Sequence, residues 1–393
     1  MRCVPLLWWT QVVVFAHLHP RWLVDLAAAL TVLLWLYLLL WRGFFWWMRE
    51  ADLGRGPAPP RRVAIVIPAR DEARVVGQAV ASVAAQDYAG PFEIFLVDDH
   101  SADDTAEIAH QAGVRVLSAA PLPDGWTGKL WALSEGLREA GRFSPDYFLL
   151  TDADVVHAPD SLARLVALAE AGRYDLASLM VQLRCETLAE RALIPAFVFF
   201  FFKLYPPRWI ASAKRSTAGA AGGCILVRRE ALERIGGIAA IRGELIDDCA
   251  LAKAVKRTGG RIWLGLTSAT RSIREHGTFA EVGRMISRSA FTQLRYSTLL
   301  LAGTVAGMFA IYLLAPVLLL GFGSWLAALA WLMMMAAYLP VLRLYRRSLL
   351  WAPALPLVAL FYTAATVHSA LRYWRGRGGV WKGRAQAARG TER

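Results

Sequence analysis

The sequence predicts a doubly wound α/β domain flanked by transmembrane helices, on three observations. Between residues 61 and 272, short apolar runs rich in β-branched residues alternate with segments of helical period. Several of those runs end in acidic residues, at Asp98-Asp99 and at Asp152-Ala153-Asp154. On either side lie apolar stretches long enough to cross a bilayer, at residues 22–41, 299–322, 325–344 and 349–371.

Composition supports the division. At 393 residues and 56% hydrophobic, the chain is too apolar for an ordinary soluble enzyme. Of 16 Trp, seven precede residue 48 and five follow residue 324, the distribution expected of membrane–water interfaces at both ends. Cys3, Cys185, Cys224 and Cys249 show no paired spacing, which excludes a disulfide framework and a zinc site and fits a reducing cytoplasmic face. The net charge of +13 could suggest nucleic acid, but the basic residues form no stripe interleaved with aromatics. They gather beside apolar segments instead: Arg42, Arg49, Arg55, Arg61 and Arg62, then Arg343, Arg346 and Arg347, then the tail. Juxtamembrane arginines orient helices and meet anionic headgroups, so no nucleic acid is expected.

In chain order, residues 4–18 are apolar but short and lack a small-residue cleavage site, which reads as an interfacial piece or half-span rather than a signal peptide. Residues 22–41 form the first span, and the arginines after it place that side in the cytoplasm. Residues 54–60, with three prolines, are a linker closing an N-terminal anchor of residues 1–60. The α/β domain follows at 61–272. Its strands are expected at 63–67 (stopping at Pro68), 92–97, 114–117 and 147–152, and its helices at 75–85, 129–140 and 160–171. Residues 193–204 hold Phe197, Val198 and Phe199 to Phe202, followed by Lys203 and Trp209. Twelve apolar residues are too few to span. A core helix rarely carries four consecutive Phe beside Lys and Pro, so this segment is expected to lie in the membrane interface, with a place in the core as the alternative. Residues 273–298 form an interfacial amphipathic segment, 299–371 three C-terminal helices and 372–393 a basic tail. The third helix leaves that tail outside, against the positive-inside rule, so a re-entrant segment stays open.

Four acidic features share one sheet edge: the turn at 68–72, Asp98-Asp99, Asp152 with Asp154, and Asp247-Asp248 at the start of a helical pattern. In an open α/β sheet that edge binds ligands. Carboxylates one residue apart suit a hard divalent cation that bridges to phosphate oxygens. The blander readings are a strand end before a helix cap at Asp160, and an acid pair at a helix N-terminus for Asp247-Asp248. Four such features in one domain favour chemistry.

The set resembles the family 2 glycosyltransferases, inverting enzymes of GT-A fold that use nucleotide-sugar donors. The resembling residues are Val63 to Glu72, Val97 to Thr105, Gly128 to Leu133, Asp152-Ala153-Asp154, Gly222 to Arg229 with Gly236-Gly237, and Asp247-Asp248, covering residues 61–300. Residues 121–129, with this membrane arrangement, look more narrowly like the bacterial hopene-associated glycosyltransferases. The resemblance implies that Pro68, Ala69 and Arg70 border the nucleotide, that Asp99 binds its base or ribose, and that Lys129 and Gly223 lie near the donor. It implies Mg²⁺ or Mn²⁺ on Asp152 and Asp154 and Asp248 as general base, while Asp247, Arg288 and Arg295 are further contacts for diphosphate or acceptor. It also implies a UDP-sugar donor, a hopanoid-like lipid acceptor and a multi-pass protein of the bacterial inner membrane with its catalytic domain in the cytoplasm. Two departures stand out. Asp71 replaces the Asn of many relatives, and the processive members' Gln-x-x-Arg-Trp is only echoed by Gln293-Leu294-Arg295-Tyr296, which argues for single transfer.

The same-class alternative is a sugar transferase acting on polyprenyl phosphate, ceramide or another lipid. A phosphate acceptor hardly needs a base at Asp248. A nucleotidyltransferase would want more cations at the metal edge than Lys129. A non-catalytic membrane scaffold would be expected to lose the acidic motifs, and all four are present.

Overall fold

A computed structural model describes residues 21–51, 59–376, 380–381 and 384–385. The expected half-span at 4–18, most of the linker at 54–60 and most of the basic tail lie outside them. The chain enters through a 20-residue helix, α1 (Arg21–Leu40). The domain then alternates β1 (Val63–Ala69), α2 (Val76–Ala84), β2 (Phe92–Asp98), α3 (Thr105–Gln111), β3 (Arg115–Ser118), α4 (Gly128–Ala140) and β4 (Tyr147–Thr151). It continues with β5 (Val155–His157), α5 (Ser161–Gly172), β6 (Leu176–Gln182), α6 (Leu188–Leu204), β7 (Cys224–Arg228), α7 (Asp247–Arg257), β8 (Ile262–Ser272) and α8 (Phe279–Gln293). Three more helices close the chain: α9 (Thr298–Phe322), α10 (Trp325–Leu344) and α11 (Leu355–Trp374). α1, α9, α10 and the stretch Leu349–Trp374 are each long and apolar enough to cross a membrane.

The eight strands form one sheet in the order β3-β2-β1-β4-β7-β6-β8-β5. β3, β2, β1 and β4 run parallel, whereas β7 is antiparallel to both β4 and β6, and β5 to β8. The sheet is mixed, with its ligand edge at the parallel half. β1 runs two residues beyond its expected stop: Pro68 lies opposite Val97. Pairing with β4 ends at Val66, so the missing Pro68 N–H interrupts no ladder on that side.

β1 shows how the sheet is covered. Ala64 and Val66 face a core shared with α4 and α6, while Val63, Ile65 and Ile67 face α2 and α5. The first core runs without a break into Trp35 of α1, Tyr312 of α9, Tyr338 of α10 and Tyr362 of α11. The α/β domain is thereby packed onto the apolar helices.

That packing corrects the reading of the phenylalanine run. α6 begins with a capping box, Thr187 with Glu190, and buries Phe199, Phe200 and Phe202. Phe199 meets Phe45 and Tyr338 edge-on at 5.3 Å, and Phe200 meets Tyr312 at 5.4 Å and Tyr362 at 4.8 Å. The Tyr362 hydroxyl donates to the Leu193 carbonyl at 2.8 Å. The run is thus core, not a wedge in the bilayer surface: aromatic faces from four other segments cover it.

Candidate functional site

β4 ends at Thr151 and hands Asp152 and Asp154 to the ligand edge. Lys129 enters from the first turn of α4, which Thr127 caps. Its ammonium lies 2.9 Å from Asp152 Oδ1 and 3.2 Å from Asp247 Oδ2, so one cation ties β4 to the start of α7. Burial works against that charge, but the carboxylates of Asp152 and Asp247 outweigh it and raise the Lys129 pKa. Asp152 is pushed up by burial and by repulsion from Asp154, with Lys129 opposing.

Asp154 faces a second cation. It accepts from the Ser272 hydroxyl at 2.7 Å and from Arg274 Nε at 3.0 Å, and the same guanidinium donates to Glu72 Oε1 at 2.6 Å. Sequence reasoning missed Arg274 as a site residue. Its partners lie 120 and 202 positions away, and nothing local marks it.

Asp248 follows Asp247 in the first turn of α7. Its Oδ2 accepts from the Gly222 N–H at 2.9 Å and its Oδ1 from the Cys249 N–H at 2.6 Å. Burial, then the neighbouring Asp247 charge, push its pKa up to about 6, against the pull of Lys129 and the two N–H groups. A carboxylate poised there is ionised at neutral pH yet basic enough to take a hydroxyl proton. Gly222 is the closer of the two glycines to this group: a Cβ on it would lie 3.4 Å from Asp248 Oδ2 and 3.5 Å from Lys129 Nζ. Gly223 is pressed on Val181, where a Cβ would come to 2.9 Å, and its carbonyl accepts from Thr151 at 2.8 Å.

At the ends of β1 and β2 the loops interlock. The Asp99 N–H donates to the Ala69 carbonyl at 2.8 Å, and Arg70 donates to the Asp99 carbonyl while lying 3.6 Å from its carboxylate. Asp71 has φ +51°, a left-handed conformation that Asp and Asn tolerate better than most residues, and its carboxylate accepts from the Ala102 N–H at 2.8 Å.

A cavity of about 800 Å³ unites these groups. Pro68, Lys129, Asp152, Asp154, Asp247, Asp248, Gly223 and Arg274 line one end. The other end is walled by Phe197 and Phe201 of α6, Met285 and Phe291 of α8 and Tyr373 of α11, with Arg284, Arg288, Arg372 and His276 among them. Ala69, Arg70 and Asp99 flank this cavity at the strand edge rather than lining it. Arg295 is corrected: it follows α8 with φ +53° and is exposed, outside the lining.

The donor set suits a divalent cation. Asp152 and Asp154 offer hard oxygens, which a divalent cation would share with Lys129 and Arg274, their present partners. Among the described residues, no group of three His, Cys, Asp or Glu could hold a metal unaided, so further ligands would have to come from a bound phosphate.

Residues 64–236 match the family model for glycosyl transferase family 2. The match covers less than half of the chain. The fold is GT-A-like. The mannosyltransferase PcManGT from Pyrobaculum calidifontis, solved with GDP-Man and Mn²⁺, superposes with a TM-score of 0.52 at 19% identity, covering 90% of this chain and 99% of that one, a likeness of fold. The chain is also 36% identical over 124 residues to an undecaprenyl-phosphate 4-deoxy-4-formamido-L-arabinose transferase of Pseudomonas savastanoi pv. phaseolicola, 30% of this chain and 36% of that protein. It is 31% identical over 96 residues to a 4,4'-diaponeurosporenoate glycosyltransferase of Staphylococcus aureus, 24% of either chain. The chain thus spans about a third or less of the length of these curated relatives.

Proposed function

We propose that the protein transfers a single sugar from a nucleotide-sugar donor to a membrane-lipid acceptor, with inversion at the anomeric carbon. One observation carries this reading: a single cavity joins the acidic edge of the family 2 domain to the helices that lead into the apolar bundle. An acceptor that stays in the bilayer can reach such a site without leaving it.

The division of labour follows from chemistry. The Arg70–Asp99 edge binds the nucleoside, and Lys129 faces its diphosphate. A divalent metal held by Asp152 and Asp154 would neutralise charge on the departing nucleoside diphosphate. Lys129 supports the same charge from a dry position, where a cation acts more strongly than in water. Asp248 deprotonates the acceptor hydroxyl, which attacks in line, so no second carboxylate nucleophile is needed. UDP is the expected donor nucleotide, and the bilayer is that of the bacterial inner membrane, with the family 2 domain in the cytoplasm and α8 in the interface.

The finer acceptor reading is a hopanoid-like alcohol, on the resemblance of residues 121–129. The placement of Asp248 supports it, because a hydroxyl needs a base. A second reading, a polyprenyl phosphate, is favoured by Arg284, Arg288 and Arg372 in the same cavity and by the acceptor in the Pseudomonas relative's name. Mass spectrometry of the glycolipid made by the purified protein separates them. A sugar joined through its anomeric carbon to a polycyclic alcohol as a glycoside supports the first reading, and a sugar phosphodiester cleaved by mild acid supports the second. A water-soluble product refutes both.

A further inference from the structure

The C-terminal end of α1 carries a cluster of cations that glycosyl transfer does not use. The guanidiniums of Arg42 and Arg215 lie 4.7 and 4.9 Å from the ring centroid of Trp209, and that of Arg208 lies 4.6 Å from Phe44. The scaffold beneath them is fixed. Arg42 Nε donates to the Lys203 carbonyl at 3.0 Å. Gly43, at φ +67°, brings the backbone so close that a Cβ would lie 2.8 Å from Pro206 Cβ and 2.9 Å from Trp209 Nε1. Lys214 stands exposed beside Arg215.

Nothing acidic balances this charge. The sequence holds no Asp or Glu between Asp25 and Glu50, nor between Glu190 and Glu230. Among the described residues, none of Arg42, Arg208, Lys214 and Arg215 makes an ion pair. The carboxylate of Glu50 is occupied by the N–H of Ser268 at 2.9 Å. The Lys203 ammonium beside Arg42 is pushed down to about 7, by burial first and then by the Arg42 charge. The site is short of an anion.

The apolar surface next to it has a matching shape. Leu33 and Tyr37, one turn apart on α1, and Trp41 and Phe44 in the turn that follows it are all exposed, and Arg208 lies over Phe44. A ligand that fits has an anionic head of phosphate geometry and a long apolar tail running toward the bilayer centre. Guanidiniums stacked on aromatic faces keep their in-plane N–H donors for phosphate oxygens.

We infer that this surface binds an anionic phospholipid, its phosphate among Arg42, Arg208 and Arg215 and an acyl chain along Leu33, Tyr37 and Trp41. This rests on α1 crossing a bilayer and is independent of which sugar or acceptor the enzyme uses.

The test is native mass spectrometry of the full chain in detergent, titrated with phosphatidylglycerol or phosphatidylcholine. Arg208→Gln with Arg215→Gln should weaken phosphatidylglycerol binding by about thirty-fold, the effect of two juxtamembrane cations, and leave phosphatidylcholine unchanged. Arg208→Lys with Arg215→Lys should recover only part of the wild-type affinity, because lysine keeps the charge but not the stacked in-plane donors. Arg138→Gln with Arg142→Gln, exposed on and just after α4, should change nothing, and excess inorganic phosphate should not displace the lipid. Equal binding by the Gln pair, equal loss in the α4 pair, or displacement by phosphate alone would each overturn the inference. Unchanged thermal unfolding of the Gln pair in lipid-free detergent shows that it is folded.

Discussion

Replacing Asp248 by Asn separates chemistry from binding at this site. Asn keeps the size of the side chain, and its Oδ1 can still accept from either the Gly222 or the Cys249 N–H. Its amide cannot take the acceptor's proton, so turnover should fall by roughly 10²–10⁴-fold, the usual worth of general-base catalysis. Donor affinity should hold, because the nucleotide edge at Arg70 and Asp99 is untouched. pH gives a second check. Asp248 must be ionised to act, and its pKa is about 6, so wild-type turnover should rise with pH along a limb centred near 6 and level off above 7. The same shift fixes the sign of a stability effect. The native state holds this proton more tightly than an unfolded carboxyl of pKa 3.8, so the ionised group opposes folding. That cost is absent below about pH 4, grows as pH rises to about 6 and is then constant. A raise of roughly two units, discounted for a half-buried group, makes it on the order of 1–2 kcal/mol. Asp248→Asn should therefore lose less stability than wild type between pH 4 and 7, against a cost of about 1 kcal/mol for one imperfect backbone bond. Single-turnover rates with lipid acceptor, donor binding by calorimetry and thermal unfolding across that pH range test all three. Retained rate with lost donor affinity would make Asp248 a binding residue and refute the assignment.

Three further outcomes are expected. Asp154→Ala should abolish transfer and weaken Mn²⁺ binding in the presence of nucleoside diphosphate, read by calorimetry; wild-type activity in excess chelator would exclude the metal role. Asp99→Ala should raise the donor KM more than it lowers kcat, measured by donor titration at saturating lipid. Phe200→Ala should cost about 3–5 kcal/mol through the cavity left among Tyr312 and Tyr362, seen as early thermal unfolding in detergent. An equally stable, donor-hydrolysing Phe200→Ala that fails only with lipid would restore an interfacial role for that side chain.

What could be read from the chain depended on how local the signal was. β1, β2 and β4 are apolar runs with acidic ends, and both the strands and the residues they deliver were visible because a buried parallel strand has that composition. The terminal apolar helices were visible by length. The phenylalanine run misled, because composition reports that a surface is apolar and not what covers it. Its partners Tyr312, Tyr338 and Tyr362 come from three helices more than a hundred residues later. Arg274 was invisible for the same reason, since its meaning lies in joining Asp154 to Glu72 across the domain. Lys129 was found through its motif, but its role as the link between Asp152 and Asp247 is a property of the folded edge. The antiparallel insertion of β7 was equally hidden, because strand direction leaves no mark on an apolar run.

The central claim is that one cavity carries out sugar transfer at the membrane, with Asp154 on the metal side and Asp248 as base. The most direct measurement reconstitutes the purified protein in vesicles of bacterial lipid, supplies a labelled nucleotide sugar and follows label into the lipid phase. Wild type should form one metal-dependent glycolipid, with Asp154→Ala inactive and Asp248→Asn slowed by at least about 10²-fold at unchanged donor affinity. Label appearing only in water-soluble product, or in lipid at the wild-type rate with Asp248→Asn, would contradict it.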